Sequence, residues 1–185
     1  MAVRNADDIL VGGGRIFIVE QETGSATKSY YDLGYLQGEI KHCEQANSQT
    51  IKESEGGTVL TIATDKEVHF TFSLLEANLD TLKLLNPSSD SLNESGNGTS
   101  GFAVGTFQSD DTFLIEFYTK KRSGKYRCLR IFKGKISGEF TTLLINQDNA
   151  SPIPVDVVAL ADDTKPTTKN LYEIFDTTTA PNGGW

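Results

Sequence analysis

Val68-His69-Phe70-Thr71-Phe72-Ser73-Leu74 sets an apolar side chain at every second position, with His69, Thr71 and Ser73 between them. A strand turns successive side chains to opposite faces, so a period of two describes a half-buried strand. Directly after it, Ser73-Leu74-Leu75-Glu76 fits a capping box, in which the serine oxygen accepts from a first-turn N–H and the glutamate reaches back. Leu75, Leu79 and Leu82 follow at i, i+4 and i+7, one face of a helix. Asn86-Pro87 stops it, because proline lacks a donor and restricts its predecessor. The segment therefore predicts a strand leading into one short helix over residues 75–85, which must pack on a sheet.

Outward from this point the chain reads as strand. Upstream, Arg15-Ile-Phe-Ile-Val-Glu20 is β-branched and aromatic. Residues 30–36 and 39–46 are strand pieces broken at Gly34 and Gly38, where bulges or bends are expected. Residues 47–57 are polar and end in Gly56-Gly57, which predicts an exposed loop; 58–64 resume a strand, and Asp65-Lys66 turns into Val68. Downstream, Asn86 to Gly101 is low-complexity and polar and reads as a mobile loop; its triplets at Asn93 and Asn97 match the glycosylation pattern by chance. Strands return at 102–107, at 112–119 with Phe-Leu-Ile-Glu-Phe-Tyr in its middle, at 126–136, at 139–145 and at 155–160. The 112–119 strand is thick with apolar groups and is expected to be central. The fold class is mainly β, a two-sheet β-sandwich with one flanking helix. The expected organisation is an N-terminal arm at 1–14 with a Gly12-Gly13-Gly14 hinge, one domain at 15–160, and a C-terminal arm at 161–185.

The chain has 185 residues, enough for one ordinary domain. Its 17 basic and 25 acidic residues give a net charge of −8, which argues against a dedicated nucleic-acid binder. No apolar run approaches the ~18 residues of a membrane span, and the first residues lack a signal-peptide layout. Cys43 and Cys128 lack a CxxC pattern and read as two free thiols. Charge is unevenly spread. All eight basic residues between 86 and 150 fall in one ribbon: Lys120, Lys121, Arg122, Lys125, Arg127, Arg130, Lys133 and Lys135. Such a ribbon in an acidic chain can attract copies of the same chain, or can be a solvated hairpin whose lysines protect an edge.

Catalytic patterns are missing. There is no GxSxG, HExxH, GxxxxGK[ST] or GxGxxG, and only two histidines, His42 and His69. Asp7-Asp8, Asp110-Asp111 and Asp162-Asp163 are adjacent pairs near turns, and neighbours on a strand point to opposite faces, so they make poor acid–base dyads. His69 is expected on the wet face of its strand. Glu116 interrupts the apolar run of its strand and is expected to face solvent or a partner. No catalytic residue, cofactor or metal is expected, and the chain is read as a structural protein rather than an enzyme.

Several segments occur in a telling order: Arg15–Glu20, then Tyr31-Asp32-Leu33-Gly34, a polar loop ending in Glu55-Gly56-Gly57, Val68–Leu85, the Phe132–Phe140 hairpin, and residues 155–162. In that order they resemble the major tail tube protein of long-tailed bacteriophages, over about residues 10–165. The resemblance implies a compact β-sandwich with one helix, six copies to a ring, and rings stacked into a tube through which double-stranded DNA passes without specific binding. It implies partners among other tail proteins, such as the tape measure, a terminator and, in a contractile tail, a sheath, and a location in the virion tail after synthesis in the host cytoplasm. Tubes of phage-like bacteriocins and of contractile injection or secretion machines share the fold and are the alternative. A β-sandwich binding module, for example for carbohydrate, is the second, although the single tryptophan is the last residue.

Three sets of residues are expected to carry assembly. The loop residues Asn47, Ser48, Gln49, Lys52, Glu53, Glu55, Gly56 and Gly57 would order on a neighbour. The basic ribbon would lie between subunits, with Glu53 and Glu55 among its partners. Leu171, Tyr172, Ile174 and Phe175 would dock the C-terminal arm on an adjacent copy.

Overall fold

A computed structural model of the chain describes residues 10–21, 28–36, 38–52, 58–75, 79–85, 89–94, 99–104, 112–137 and 152–181. Its strands are β1 (Leu10–Gln21), β2 (Lys28–Tyr35), β3 (Lys41–Lys52), β4 (Thr58–Leu74), β5 (Ser89–Glu94), β6 (Thr99–Val104), β7 (Phe113–Lys121), β8 (Tyr126–Ser137), β9 (Ile153–Leu160) and β10 (Tyr172–Thr177), with the helix α1 at Leu79–Leu85. The protein is mainly β, as its sequence predicts.

Seven strands hydrogen-bond in the order β2-β1-β7-β8-β9-β4-β3, and β10 joins beside β8; β5 and β6 form a separate pair. All pairings are antiparallel. In a flat sheet β4 and β7, with two strands between them, would stand roughly 14 Å apart. Instead the Phe72 and Phe117 rings meet edge-on at 5.3 Å. The sheet therefore curls over its own apolar face. An isolated bridge between Leu36 and Leu74, and the Leu75 N–H donating to the Tyr35 carbonyl at 2.9 Å, tie the β2 end to the β4 end.

Inside the curl lie Ile16, Ile18, Leu33, Val68, Phe70, Phe72, Leu74, Ile115, Phe117, Ile131, Val155 and Val157, closed by Leu82 and Leu85 of α1. A second cluster of Phe17, Val19, Tyr118 and Cys128, with Tyr30, Tyr126 and Phe175 against it, sits on the opposite face of β1, β7 and β8. Two covered faces explain why Ile16–Val19 and Ile115–Tyr118 are buried without alternation. The Tyr31–Gly34 motif acquires a local reason. Gly34 has φ 91° at the register shift between β1 and β2, a conformation that costs a side chain dearly. Asp32 Oδ1 accepts from the Gly34 N–H at 2.9 Å, and Arg15 pairs with the same carboxylate.

Several expectations are corrected. The Gly12–Gly14 hinge is part of β1, with a register shift between Leu10 and Gly14 against β7. Ser73 does not cap a helix: it remains in β4, paired with Pro154, and α1 is described only from Leu79. Leu75 and Leu79 are exposed while Thr81, Leu82 and Leu85 are buried, so the inward face of the helix is rotated from the expected one. Residues 47–52 are not loop but the end of β3, and the stretch 86–101 contains most of the β5–β6 hairpin. Within the expected arm at 161–185, residues 172–177 form β10, a strand of the same sheet. The expected strand at 139–145 lies outside the described residues.

Candidate assembly surfaces

The ribbon of eight cations divides into three groups once folded. Lys120, Arg122 and Lys125 are exposed at the tip of the β7–β8 hairpin. Lys121, Arg127, Arg130 and Lys133 instead meet carboxylates of their own chain. Lys121 Nζ and Arg127 Nε donate to Asp176 at 2.7 and 2.9 Å. Lys133 lies 4.0 and 3.9 Å from Asp162 and Asp163. Lys135 is half-buried on β8. The expected partners Glu53 and Glu55 lie outside the described residues, as do Gly56 and Gly57. Half of the ribbon is thus paired within the chain: Lys121, Arg127 and Arg130 meet the acids of β10, which lies beside β8, and Lys133 meets Asp162 and Asp163 just after β9.

At the centre of this arrangement is Glu116. It has no solvent exposure and sits on the outer face of the central strand β7. Arg130 Nε donates to its Oε1 at 2.6 Å, and the Tyr118 hydroxyl donates to Oε2 at 2.7 Å. Arg130 also donates through Nη1 to Glu173 of β10 at 2.6 Å, and its guanidinium lies 4.8 Å from the Phe175 ring centre. Burial works against the arginine's charge, but the Glu116 and Glu173 carboxylates hold its pKa above the ordinary value. Burial, and then the nearby Glu116 carboxylate, push the Cys128 thiol up to about 12. The same two causes raise the phenols of Tyr118 and Tyr30. These groups are therefore locked in one protonation state, which suits a packed structural network and not proton transfer near neutrality.

Three of the four C-terminal arm residues turn inward. Tyr172 packs edge-on against Phe70, with ring centres 5.5 Å apart, and its hydroxyl bonds Glu44 of β3. Leu171 rests on the interior core and Phe175 on the outer cluster. Ile174 alone of the four stays open, at 57% exposure. Pro181, beyond the end of β10, is buried and shares a cleft with Tyr30, Tyr118, Arg130 and Phe175. Within one chain, then, Leu171, Tyr172 and Phe175 already pack on their own core.

What remains outward is backbone edge and one long ribbon. Among the described residues β2 forms a ladder only with β1, apart from the tie to β4 at its Tyr35 end, and β3 forms one only with β4. β9 pairs with β4 only from His69 to Leu74, so among the described residues the β3–β4 pairing from Ala46↔Lys66 out to Lys52↔Thr58 has no third strand beside it. The assembly residues Asn47, Ser48, Gln49 and Lys52 are on this ribbon. On the wet face nearby, His69 is half-buried between Glu67 and Asp156, at 3.0 and 3.2 Å. The Glu67 hydrogen bond and the Asp156 carboxylate raise its pKa against the opposing effect of burial.

Sequence reasoning marked Glu116 as an interruption in an apolar run but gave no signal for its partners. Arg130 and Glu173 lie on other strands, and only the β7–β8 and β8–β10 registers bring them together. Among the described residues no group of three or more His, Cys, Asp or Glu side chains could hold a metal ion, and no helix is long and apolar enough to cross a membrane. Neither a protein-family model nor a curated protein sequence matches the chain.

Proposed function

We propose that the protein is a structural subunit that polymerises as stacked hexameric rings into a phage-type tail tube, a conduit for DNA during ejection. The observation that carries this reading is the β3–β4 ribbon. Among the described residues, the seven of β3 from Ala46 to Lys52 are paired to β4 alone, a projection of roughly 20 Å at strand rise. A two-stranded ribbon is marginal by itself in water and gains stability by lying against another surface. Among the described residues the outer edge of β3, and that of β2 short of Tyr35, carry no ladder, which points the same way, since an open edge is a liability unless another strand covers it. A heterologous edge-to-edge contact repeated around a ring removes every open edge at once. In this reading the halves of the curled sheet that face each other across the Phe72–Phe117 contact are the two layers of the sandwich. The acidic balance of the chain, net −8, suits passage of DNA without retention of its phosphates.

Electron microscopy of the purified full chain tests the proposal: rings and tubes with a lumen are expected. Ala46 and Lys66 are register partners, so residues 47–65 can be replaced by a two-residue Asn-Gly turn. That variant is expected to fold and to make no tubes. A wild-type chain that stays monomeric at every concentration, or a ribbon-less variant that assembles as the wild type does, overturns the reading.

A further inference from the structure

Of the strands whose side chains are described throughout, β7, β8, β9 and β10, only β10 has no fully buried residue. Charge on both of its faces makes up the difference. Alternation puts Tyr172, Ile174 and Asp176 on one face and Glu173, Phe175 and Thr177 on the other. On the first, Asp176 accepts from Lys121, which is only 4% exposed, at 2.7 Å and from Arg127 at 2.9 Å. On the second, Glu173 accepts from Arg130 at 2.6 Å, the guanidinium that also holds buried Glu116. The cross-strand partners agree: Glu173 stands opposite Arg130, and Asp176 opposite Arg127. A slip of one residue would turn both acids to the wrong faces, with Glu173 toward the apolar interior and Asp176 toward Glu116. Like charges would then meet at the second site, and the clamp at the first would be empty.

We infer that the β8 edge at Tyr126–Ile131, with Lys121 and Arg127 on one face and Arg130 on the other, is a binding site for an extended peptide that carries one carboxylate on each face, three residues apart, between aromatic side chains. In this chain its occupant is the chain's own residues 172–177. The site is built from β7 and β8 of one molecule, so it does not depend on tube assembly. The buried Glu116 orients the Arg130 fork and Tyr118 packs beside it, which readies the site before the strand arrives. Acid is the natural release. The groups facing Asp176 are Lys121 and Arg127, and those facing Glu173 are Arg130 and, through it, Glu116. The two cations hold the Asp176 carboxyl down at about 2, so its contribution is complete above the ordinary carboxylate range and is lost as pH falls toward 2.

The test uses the full chain carrying Glu173→Gln and Asp176→Asn. Trypsin cleavage after Lys169, just ahead of β10, is expected to rise at least ten-fold over the wild type. A fluorophore-labelled synthetic peptide of residues 170–181 is expected to bind this variant at least ten-fold tighter than it binds the wild type, where the site is filled. A peptide carrying the same two amide substitutions is expected not to bind. A second measurement needs no variant: hydrogen-exchange protection of β10 amides in the wild type should collapse between pH 5 and pH 2 while β7 keeps its own. Failure of the peptide to discriminate between variant and wild type, or loss of β10 and β7 protection together, overturns the inference. Tube formation is read separately by microscopy, so a failed assembly and a failed strand site are distinguishable.

Discussion

Removing Arg130 should harm the fold more than removing Glu116, although each breaks the same ion pair. Glu116 has no solvent exposure and Arg130 keeps a quarter of its side-chain surface, so the two are not equivalent when left alone. Arg130→Met leaves a buried carboxylate with only the Tyr118 hydroxyl, and breaking a buried pair this way costs about 3–5 kcal/mol. Glu116→Gln leaves a guanidinium that reaches water and still holds Glu173. Its cost is the weakened bonds to Arg130 and Tyr118, about 1–3 kcal/mol. For a chain of this length each kcal/mol shifts the melting temperature by roughly 2–4 °C, so Arg130→Met should melt on the order of 6–20 °C below the wild type and Glu116→Gln by much less. The double variant Glu116→Leu/Arg130→Met removes both charges together and should recover most of the loss, because a packed apolar pair replaces a buried ion pair at little cost. Thermal unfolding of the four chains by circular dichroism reads all of this. Equal losses for the two single variants, or a double variant as unstable as the sum of the singles, would refute the account of Glu116 as a desolvated charge held by Arg130.

Other outcomes follow from single sites. A Cβ on Gly134 would stand 2.9 Å from both Ile115 Cδ1 and Val157 Cγ1, so Gly134→Ala should cost about 1–3 kcal/mol by overpacking, read as a lower denaturation midpoint. Asp32→Ala removes both the acceptor for the Gly34 N–H and the partner of Arg15 at the β1–β2 bulge, and about 1–2 kcal/mol should be lost in the same assay. With its raised pKa, His69 contributes stability that is fully present below its unfolded pKa and is lost as pH rises through the folded one. His69→Gln should abolish that pH dependence in melts across pH 5 to 9. Cys43 is exposed and Cys128 buried, so a thiol reagent at pH 8 should modify one cysteine in the native protein and two after denaturation; two in the native state would contradict the packing around Cys128.

The parts of this fold that were legible in the sequence are those where neighbours along the chain decide the outcome. Val68–Leu74 alternates because one face of β4 meets the core, and Ile16–Val19 and Phe113–Tyr118 do not alternate because both faces are covered. Gly34 announced its bulge because φ of 91° is a local demand. The misread segments are those where a distant strand outbid a local signal. Ser73 and Glu76 spell a capping box, but Ser73 stays in the β4–β9 ladder opposite Pro154, and a ladder that buries Leu74 outweighs one cap. Residues 47–52 carry few apolar groups, yet backbone pairing to β4 needs none. The basic ribbon and the C-terminal acids were each visible as charge. Their pairing was not, because Lys121 and Asp176 are separated by 55 positions and meet only when β10 takes its place beside β8. Composition and period thus determined that the chain builds strands with a wet and a dry face. Which charges would be buried was decided by tertiary structure alone, since a carboxylate such as Glu116 can leave water only where another strand brings it a cation.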